Sequence, residues 1–164
     1  MSGLMLQPPE IVEVEGPVVF LAGPIQGAPL WQPEAARLLH ELVPSLTVAN
    51  PRRDYPPGEF QYNQQVDWET HYLRRAGKFG VIMFWLAAQT EPTPSRAYAQ
   101  TTRFELGEWK SQHEWTSTKL VIGIEKGFGN ERYIRHRMGQ DCPEVPILST
   151  LAEACEVVAS IQNK

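Results

Sequence analysis

Cysteine and histidine are both scarce in this chain of 164 residues. The two cysteines, Cys142 and Cys155, have neither the spacing of a metal-binding motif nor enough partners for a disulfide framework, which is typical of proteins from a reducing cytosol. The four histidines, at positions 40, 71, 113 and 136, lack any His-x-x-x-His or similar spacing. We therefore expect a cytoplasmic protein without a metal site.

Basic residues and long apolar runs are lacking as well. The 15 lysines and arginines are outnumbered by 19 acidic residues and are scattered along the chain, whereas a nucleic-acid polymer usually requires a basic stripe. No stretch approaches the roughly 20 apolar residues of a membrane helix, and residues 1–16 lack the basic start and apolar run of a targeting signal. These absences argue against nucleic acid and membrane as partners and leave small molecules as the expected ligands.

Short apolar runs alternate with helical patterns from Pro17 onward. The runs predict five strands, at 18–22, 46–49, 80–86, 120–124 and 145–148. Apolar residues at helical spacing predict helices over 32–43, 63–76, 102–113, 130–138 and 151–162. The alternation indicates an α/β fold: a single-domain, doubly wound, five-stranded parallel sheet of the flavodoxin-like or Rossmann-like kind. Its simplest strand order is second, first, third, fourth, fifth. We assign residues 17–164 to this domain and residues 1–16 to an N-terminal extension that is either loose or packed on the surface.

Ligands of such sheets bind beyond the carboxyl ends of the strands, where the winding direction reverses. The first strand ends there in Gly23, Pro24, Ile25, Gln26 and Gly27, and glycine would let the backbone come close to a ligand. An ordinary strand-to-helix turn is the alternative interpretation. Residues 87–100 form an unusually long connection, and long loops are often functional.

Glu105 is predicted in the first turn of the helix that follows this long loop. Thr102 followed three residues later by Glu105 matches a capping box, in which the carboxylate only bonds a backbone amide. The functional alternative uses the same location, because the positive end of a helix favours the ionised carboxylate that a nucleophile needs. The residues alone leave both interpretations open.

Two further segments combine charge with rings or cations. Trp68 and Glu69 pair an aromatic that could bracket a flat ring with an acid, although a surface charge beside a half-buried tryptophan would look the same. Asn50 to Asp54 carries Arg52 and Arg53 after the second strand, and a solvated turn with a weak local ion pair is the alternative there.

Four segments, taken in order, resemble the nucleoside 2-deoxyribosyltransferase family and the related nucleotide N-glycosidases over residues 18–123. They are FLAGPIQG at 20–27, NPRR at 50–53, the stretch from WE at 68–69 through Leu73 and Ala76 to FW at 84–85, and FELG at 104–107. The resemblance implies that Glu105 attacks the anomeric carbon and that Glu69 contacts the sugar or base. It also implies a pocket lined by the following residues: Phe20, Gly23, Pro24, Gln26, Arg52, Trp68 and Trp85.

The activity implied is transfer of a 2-deoxyribosyl group between nucleobases by a retaining double displacement through a covalent glutamate intermediate. This chemistry needs no cofactor, and its partners are nucleosides and free nucleobases. The resemblance also implies a homo-oligomer. A nucleoside or nucleoside 5′-monophosphate N-glycosidase, and a non-enzymatic nucleotide-sensing module, are the alternatives on the same fold.

The chain departs from the family pattern at two places. Ala76 is followed by Gly77 where the family usually has aspartate, and residues 97–100 lack the acid that several transferases carry about six residues before the nucleophile. The proton donor to the leaving base therefore stays open. The nucleotide-cleaving branch typically holds the 5′-phosphate with a serine and an arginine in the first loop, where this chain has Pro24 and Gln26. We therefore expect a preference for free nucleosides.

Overall fold

The computed structural model describes residues 3–163, and within them six parallel strands and five helices follow one another in the chain. The strands are β1 (Met5–Leu6), β2 (Val18–Ala22), β3 (Thr47–Ala49), β4 (Gly80–Leu86), β5 (Leu120–Ile124) and β6 (Ile147–Leu148). The helices are α1 (Gln32–Leu42), α2 (Tyr62–Lys78), α3 (Gln100–Trp115), α4 (Glu131–Asp141) and α5 (Leu151–Gln162). None of these helices is long and apolar enough to cross a membrane.

The strands form one sheet in the order β1-β3-β2-β4-β5-β6, and every neighbouring pair is parallel. The predicted α/β class and the flavodoxin-like order of the five expected strands are confirmed. The strand count was wrong by one, because β1 adds an edge strand from the N-terminal extension. Its pairing uses the carbonyl groups of Leu4 and Leu6, which accept hydrogen bonds from the amides of Val48 and Asn50. A two-residue strand is too short to leave a periodic pattern.

The N-terminal extension continues along α2 after β1. The indole of Trp68 donates to the carbonyl of Glu10, and Arg75 donates to the carbonyls of Val14 and Gly16. Side chains of one helix thus satisfy the backbone of a segment that has no regular structure of its own.

Two apolar layers enclose the sheet, because successive side chains of a buried strand point to opposite faces. On one face Phe20 and Ala22 of β2 pack with α2, α3 and α4, and on the other Val19 and Leu21 pack with α1 and α5. α2 and α3 consequently share a face of the sheet and lie on either side of the carboxyl end of β2. The winding direction reverses between β2 and β4, since the chain leaves β2 for β3 on one side and returns to β4 on the other.

Candidate active site

A cleft of about 350 Å³ opens at this switch point, a volume typical of small-molecule pockets. The carboxyl end of β2 and the loop after it form its floor, and the first two turns of α2 and of α3 form two of its walls. Of the residues predicted for the site, those that line this cleft are Phe20, Gly23, Pro24, Gln26, Arg52, Glu69 and Glu105.

Glu105 lies on the α3 wall and is half-buried. Burial, followed by the negative charges of Glu69 and Glu108, raises the pKa of its carboxyl group to about 8. Within residues 3–163 no group donates a hydrogen bond to this carboxylate that would offset the burial. Its neutral form is therefore favoured near neutral pH in the free protein.

The capping box predicted for Thr102 and Glu105 is not formed. α3 begins at Gln100, two residues earlier than expected, after Ala99 in the left-handed region with φ of 56°, and no side chain caps this end. Glu105 thus stands in the second turn, where the helix dipole has less influence than in the first. The end of the helix therefore favours the ionised carboxylate less than a first-turn position would, and burial acts in the opposite direction.

Glu69 lies across the cleft on α2. Its carboxylate accepts a hydrogen bond of 2.8 Å from the side-chain amide of Gln65, which lies one turn earlier. The same side-chain nitrogen also donates to the carbonyl of Pro51. The hydroxyl of Tyr55 donates to the amide oxygen of Gln65, so every polar atom of that side chain points at a defined partner. Burial raises the pKa of Glu69 above its ordinary value, while the bond from Gln65 lowers it.

The two carboxyl groups form an interacting pair. Each charge disfavours the other, and the protons of such a pair dissociate in two steps that belong to the pair rather than to one residue. Because Glu69 has a hydrogen-bond donor and Glu105 has none among the described residues, the first ionisation is directed to Glu69. Of the two, Glu105 is therefore the group that keeps its proton to higher pH.

Close packing, rather than a ligand, determines the glycine at position 23. A Cβ atom there would lie 2.3 Å from the carbonyl oxygen of Trp85 and 2.6 Å from Cζ2 of Trp31. The carbonyl of Pro24 accepts from the indole of Trp31, and so the loop after β2 is tied to the start of α1. Gln26 is exposed at the cleft rim.

Trp68 and Trp85 do not line the cleft, contrary to the sequence-based prediction. Trp68 is fully buried behind Phe20, with ring centroids 6.1 Å apart, and supports the floor without facing a ligand. Trp85 follows Phe84 on β4 and so points to the opposite face of the sheet, where its ring packs over Gly123.

The cleft also contains residues that sequence reasoning did not single out for the site. Those with aromatic or polar side chains include Tyr55, Phe60, Tyr62, Gln65 and Arg96. Arg53 joins Arg52 at the rim, where its guanidinium donates to the carbonyl of Pro8. The signals available were the aromatic residues of the loop after β3, the position of Gln65 one helical turn before Glu69, and the unusual length of the loop that carries Arg96.

Gly77, the position at which the resemblance expects aspartate, is buried against the next helix. A Cβ atom at Gly77 would lie 2.5 Å from Cζ3 of Trp109 on α3, so the indole occupies the space of the missing side chain. At the second departure, Ala99 and Gln100 line the cleft but carry no acid. Among the described residues of the cleft, Glu69 and Glu105 are the two carboxylates.

These features define a class of protein: a doubly wound α/β domain with a two-carboxylate, small-molecule cleft at its switch point. Residues 16–128 match the model of the family described as nucleoside 2-deoxyribosyltransferase like, and the chain belongs to that family. No curated protein matches the chain. Family membership assigns it a nucleoside-processing role with nucleosides and nucleobases as small-molecule substrates.

Proposed function

We propose that this protein is a nucleoside 2-deoxyribosyltransferase that moves a deoxyribosyl group from one nucleobase to another. The observation that carries the proposal is the pair of half-buried carboxyl groups, Glu69 and Glu105, on opposite walls of one cleft. Glycosyl transfer with retention uses two carboxyl groups of this kind, one as nucleophile and one as proton carrier.

In the first displacement a carboxylate oxygen of Glu105 attacks the anomeric carbon. The bond from that carbon to the base nitrogen breaks, and its electron pair stays with the departing base. The proton that Glu105 holds in the free protein first passes to Glu69 as the substrate binds, so Glu105 enters the step ionised. Glu69 then gives this proton to the departing base, which leaves neutral. Protonation of the leaving group and a nearby anion both lower the barrier to an oxocarbenium-like transition state.

In the second displacement a nitrogen of the incoming base attacks the anomeric carbon and breaks the ester to Glu105. The incoming base loses a proton to Glu69, which restores the starting state of the pair. Two inversions give net retention at the anomeric carbon, and no cofactor takes part.

The flat aromatic side chains of the cleft suit a nucleobase. Phe20 lies in the floor, and Tyr55, Phe60 and Tyr62 line the same cleft. Burial of an aromatic base against such rings contributes affinity for either purine or pyrimidine.

A hydrolase is the second candidate, because water entering the same cleft would attack the same ester. Deoxyinosine incubated with and without adenine separates the possibilities by chromatography. Transfer gives deoxyadenosine and hypoxanthine only when adenine is present, whereas hydrolysis gives hypoxanthine and deoxyribose without it. If neither product forms, the protein is a nucleotide-sensing module and the proposal is wrong.

We also propose a cytoplasmic homo-oligomer. Phe104, next to Glu105, is 76% exposed and the cleft residue Tyr62 is 71% exposed, and large exposed aromatic residues are typical of subunit interfaces. Light scattering coupled to size-exclusion chromatography should give a mass that is a multiple of 18.6 kDa, and a monomer at working concentrations would contradict this.

A further inference from the structure

A second cluster of chemically active side chains lies at the amino-terminal edge of the sheet, opposite the cleft. His113 is in the last turn of α3, Cys142 directly follows α4, and Glu144 is in the connection to β6. Each residue offers one ligand atom, and these three atoms lie within 4.8 Å of one another. They are an imidazole nitrogen, the sulfur and a carboxylate oxygen.

The imidazole of His113 has a fixed orientation. Its Nδ1 lies 2.6 Å from the carbonyl oxygen of Thr118, and a carbonyl can only accept, so Nδ1 carries the hydrogen. In a neutral ring Nε2 then presents a lone pair, and it faces the Oε1 atom of Glu144 at 2.5 Å. Two acceptors at this distance share a proton on the ring, and a metal ion that replaces this proton requires the carboxylate of Glu144 to move outward. A backbone carbonyl on the far ring nitrogen is the usual support of a metal-binding histidine.

Cys142 supplies the sulfur from the buried side. It is 1% exposed, and within residues 3–163 its thiol has no hydrogen-bond partner, whereas the other cysteine, Cys155, donates to the carbonyl of Ala35. Glu144 supplies the opposite side, because its side chain is 63% exposed and can rotate to open a metal-sized space. His113 and Glu144 line a surface groove that gives an ion a path of entry.

Of the two lysines near the cluster, Lys119 is exposed to solvent at the groove and Lys110 is paired with two acids. Lys110, the nearby lysine on α3, forms ion pairs with Asp141 at 2.5 Å and with Glu114 at 3.1 Å. Its charge is therefore already offset, and the thiolate and the carboxylate of the cluster remain to balance a divalent ion.

We propose that His113, Cys142 and Glu144 form a zinc site, with water from the groove as the fourth ligand. One imidazole nitrogen, one thiolate and one carboxylate are a donor set that Zn²⁺ accepts in tetrahedral geometry. Binding releases the thiol proton and the proton between His113 and Glu144 to solvent, and it joins the end of α3 to the connection between α4 and β6. The bound ion stabilises the fold at a distance from the cleft, and this inference does not depend on the proposed reaction.

The test is zinc binding to the full chain after removal of metals with a chelator. Isothermal titration with Zn²⁺ should give one ion per chain, and the melting temperature should rise when zinc is present. Cobalt added in place of zinc should produce the thiolate-to-metal charge-transfer absorption that a Cys142 ligand requires.

Three ligand variants and two controls decide the assignment. Cys142→Ser, His113→Gln and Glu144→Gln should each weaken zinc binding by more than about tenfold, since loss of an outer-shell partner alone can cost that much. Cys155→Ser and His40→Gln should bind like wild type, because these residues lie outside the cluster although His40 also contacts a backbone carbonyl. If Cys142→Ser does not fold, Glu144→Gln still tests the site, because replacement of an exposed side chain should leave the fold intact. Wild type without stoichiometric binding, or binding unchanged in Glu144→Gln and His113→Gln, would overturn the proposal.

Discussion

At the scale of single residues, the cleft places two carboxyl groups where burial favours their neutral forms. The cost of burying a charge is offset when a donor is present, and Gln65 provides one to Glu69 but not to Glu105. The difference gives the two residues different chemical roles, a supported proton carrier and an unsupported, more reactive carboxylate.

Replacing Glu105 tests its role as nucleophile. Glu105→Gln should abolish turnover while the fold remains intact, because no capping bond is lost with the carboxylate. Mass spectrometry of wild-type protein with deoxyinosine should detect a deoxyribosyl group on the peptide that contains Glu105. The exposed Glu156→Gln variant on α5 should keep full activity as a control. Substantial turnover in Glu105→Gln would remove this residue from the mechanism.

The pH dependence of stability tests the burial of Glu105 independently of any activity. Its pKa is about 8 in the folded chain against an ordinary value of 4.5. Between these values the folded chain binds more protons than the unfolded chain, so the free energy of unfolding falls as pH rises. The stability that proton binding to Glu105 contributes is fully present below pH 4.5 and is lost by about pH 8.

Glu105→Gln lacks this titration and should become more stable relative to wild type as pH rises through that range. Urea unfolding at several pH values measures the difference, and Glu156→Gln should follow the wild-type curve. Parallel curves for wild type and Glu105→Gln would mean that the carboxyl group is not buried in solution.

Variants at Glu69 and Gln65 test the proposed proton carrier and the hydrogen bond that it accepts. Glu69→Ala should lower kcat/KM by more than about tenfold, since a placed carboxyl group in a partly dry pocket is worth more than about 1.4 kcal/mol. Gln65→Leu should cause a smaller loss, since it only removes the donor to Glu69, and should shift the pH profile of kcat/KM towards higher pH. Near-wild-type kinetics for Glu69→Ala would exclude that residue as the proton carrier.

At the scale of elements, α2 and α3, which carry the two carboxyl groups, pack directly against each other. Gly77 allows the indole of Trp109 to lie directly against α2, and the indole nitrogen of Trp109 is buried without a hydrogen-bond partner among the described residues. The two helices are therefore held here by shape rather than by polar bonds, and a side chain at position 77 would force them apart.

A matched pair of glycine substitutions measures this contact. Gly77→Ala should lower the free energy of unfolding by about 1 to 3 kcal/mol, the usual cost of overpacking, and should reduce activity because the α3 wall moves. Gly139→Ala on α4, where a Cβ meets no atom within 4 Å, should instead raise stability by up to about 1 kcal/mol through helix propensity. Equal effects of the two substitutions, measured by urea unfolding, would contradict the packing argument.

At the scale of the whole molecule, the distribution of charge around the cleft bears on substrate choice. Net charge is -4, and the cleft itself contains two acids as well as Arg52, Arg53 and Arg96. The guanidinium of Arg52 already donates to the carbonyl of Pro29 and the amide oxygen of Gln32. In the loop after β2, Pro24 and Gln26 offer neither a hydroxyl nor a cation to a phosphate.

We expect free nucleosides to be processed at least about tenfold more efficiently than their 5′-monophosphates, since a bidentate arginine contact to phosphate is missing from that loop. Gln26→Arg should reduce the ratio of nucleoside to monophosphate efficiency. Deoxyinosine and its monophosphate compared under matched conditions give the measurement. A preference for the monophosphate would identify the protein as a nucleotide hydrolase and make the three arginines of the cleft the suspected phosphate ligands.

The sequence by itself determined the α/β class, the five main strands and the region of the site. Apolar periodicity is a local property of the chain, and a run such as residues 18–22 can be buried on both faces only in a covered parallel sheet. The switch-point rule then directs attention to the loop after β2 and to α3. The roles of Glu105 and Glu69 were implied by the family resemblance before any distance was known.

Only the tertiary structure decided which of those residues face the cleft and in what state. Trp68 and Trp85 fit the motif but point into the core, because the face of a strand or helix that meets a ligand depends on its neighbours rather than on its own pattern. Arg96 and Tyr55 reach the cleft from loops that have no period to predict their direction. The raised pKa of Glu105 likewise comes from burial and from the charge of Glu69 on another helix, and such a field exists only once the chain has folded.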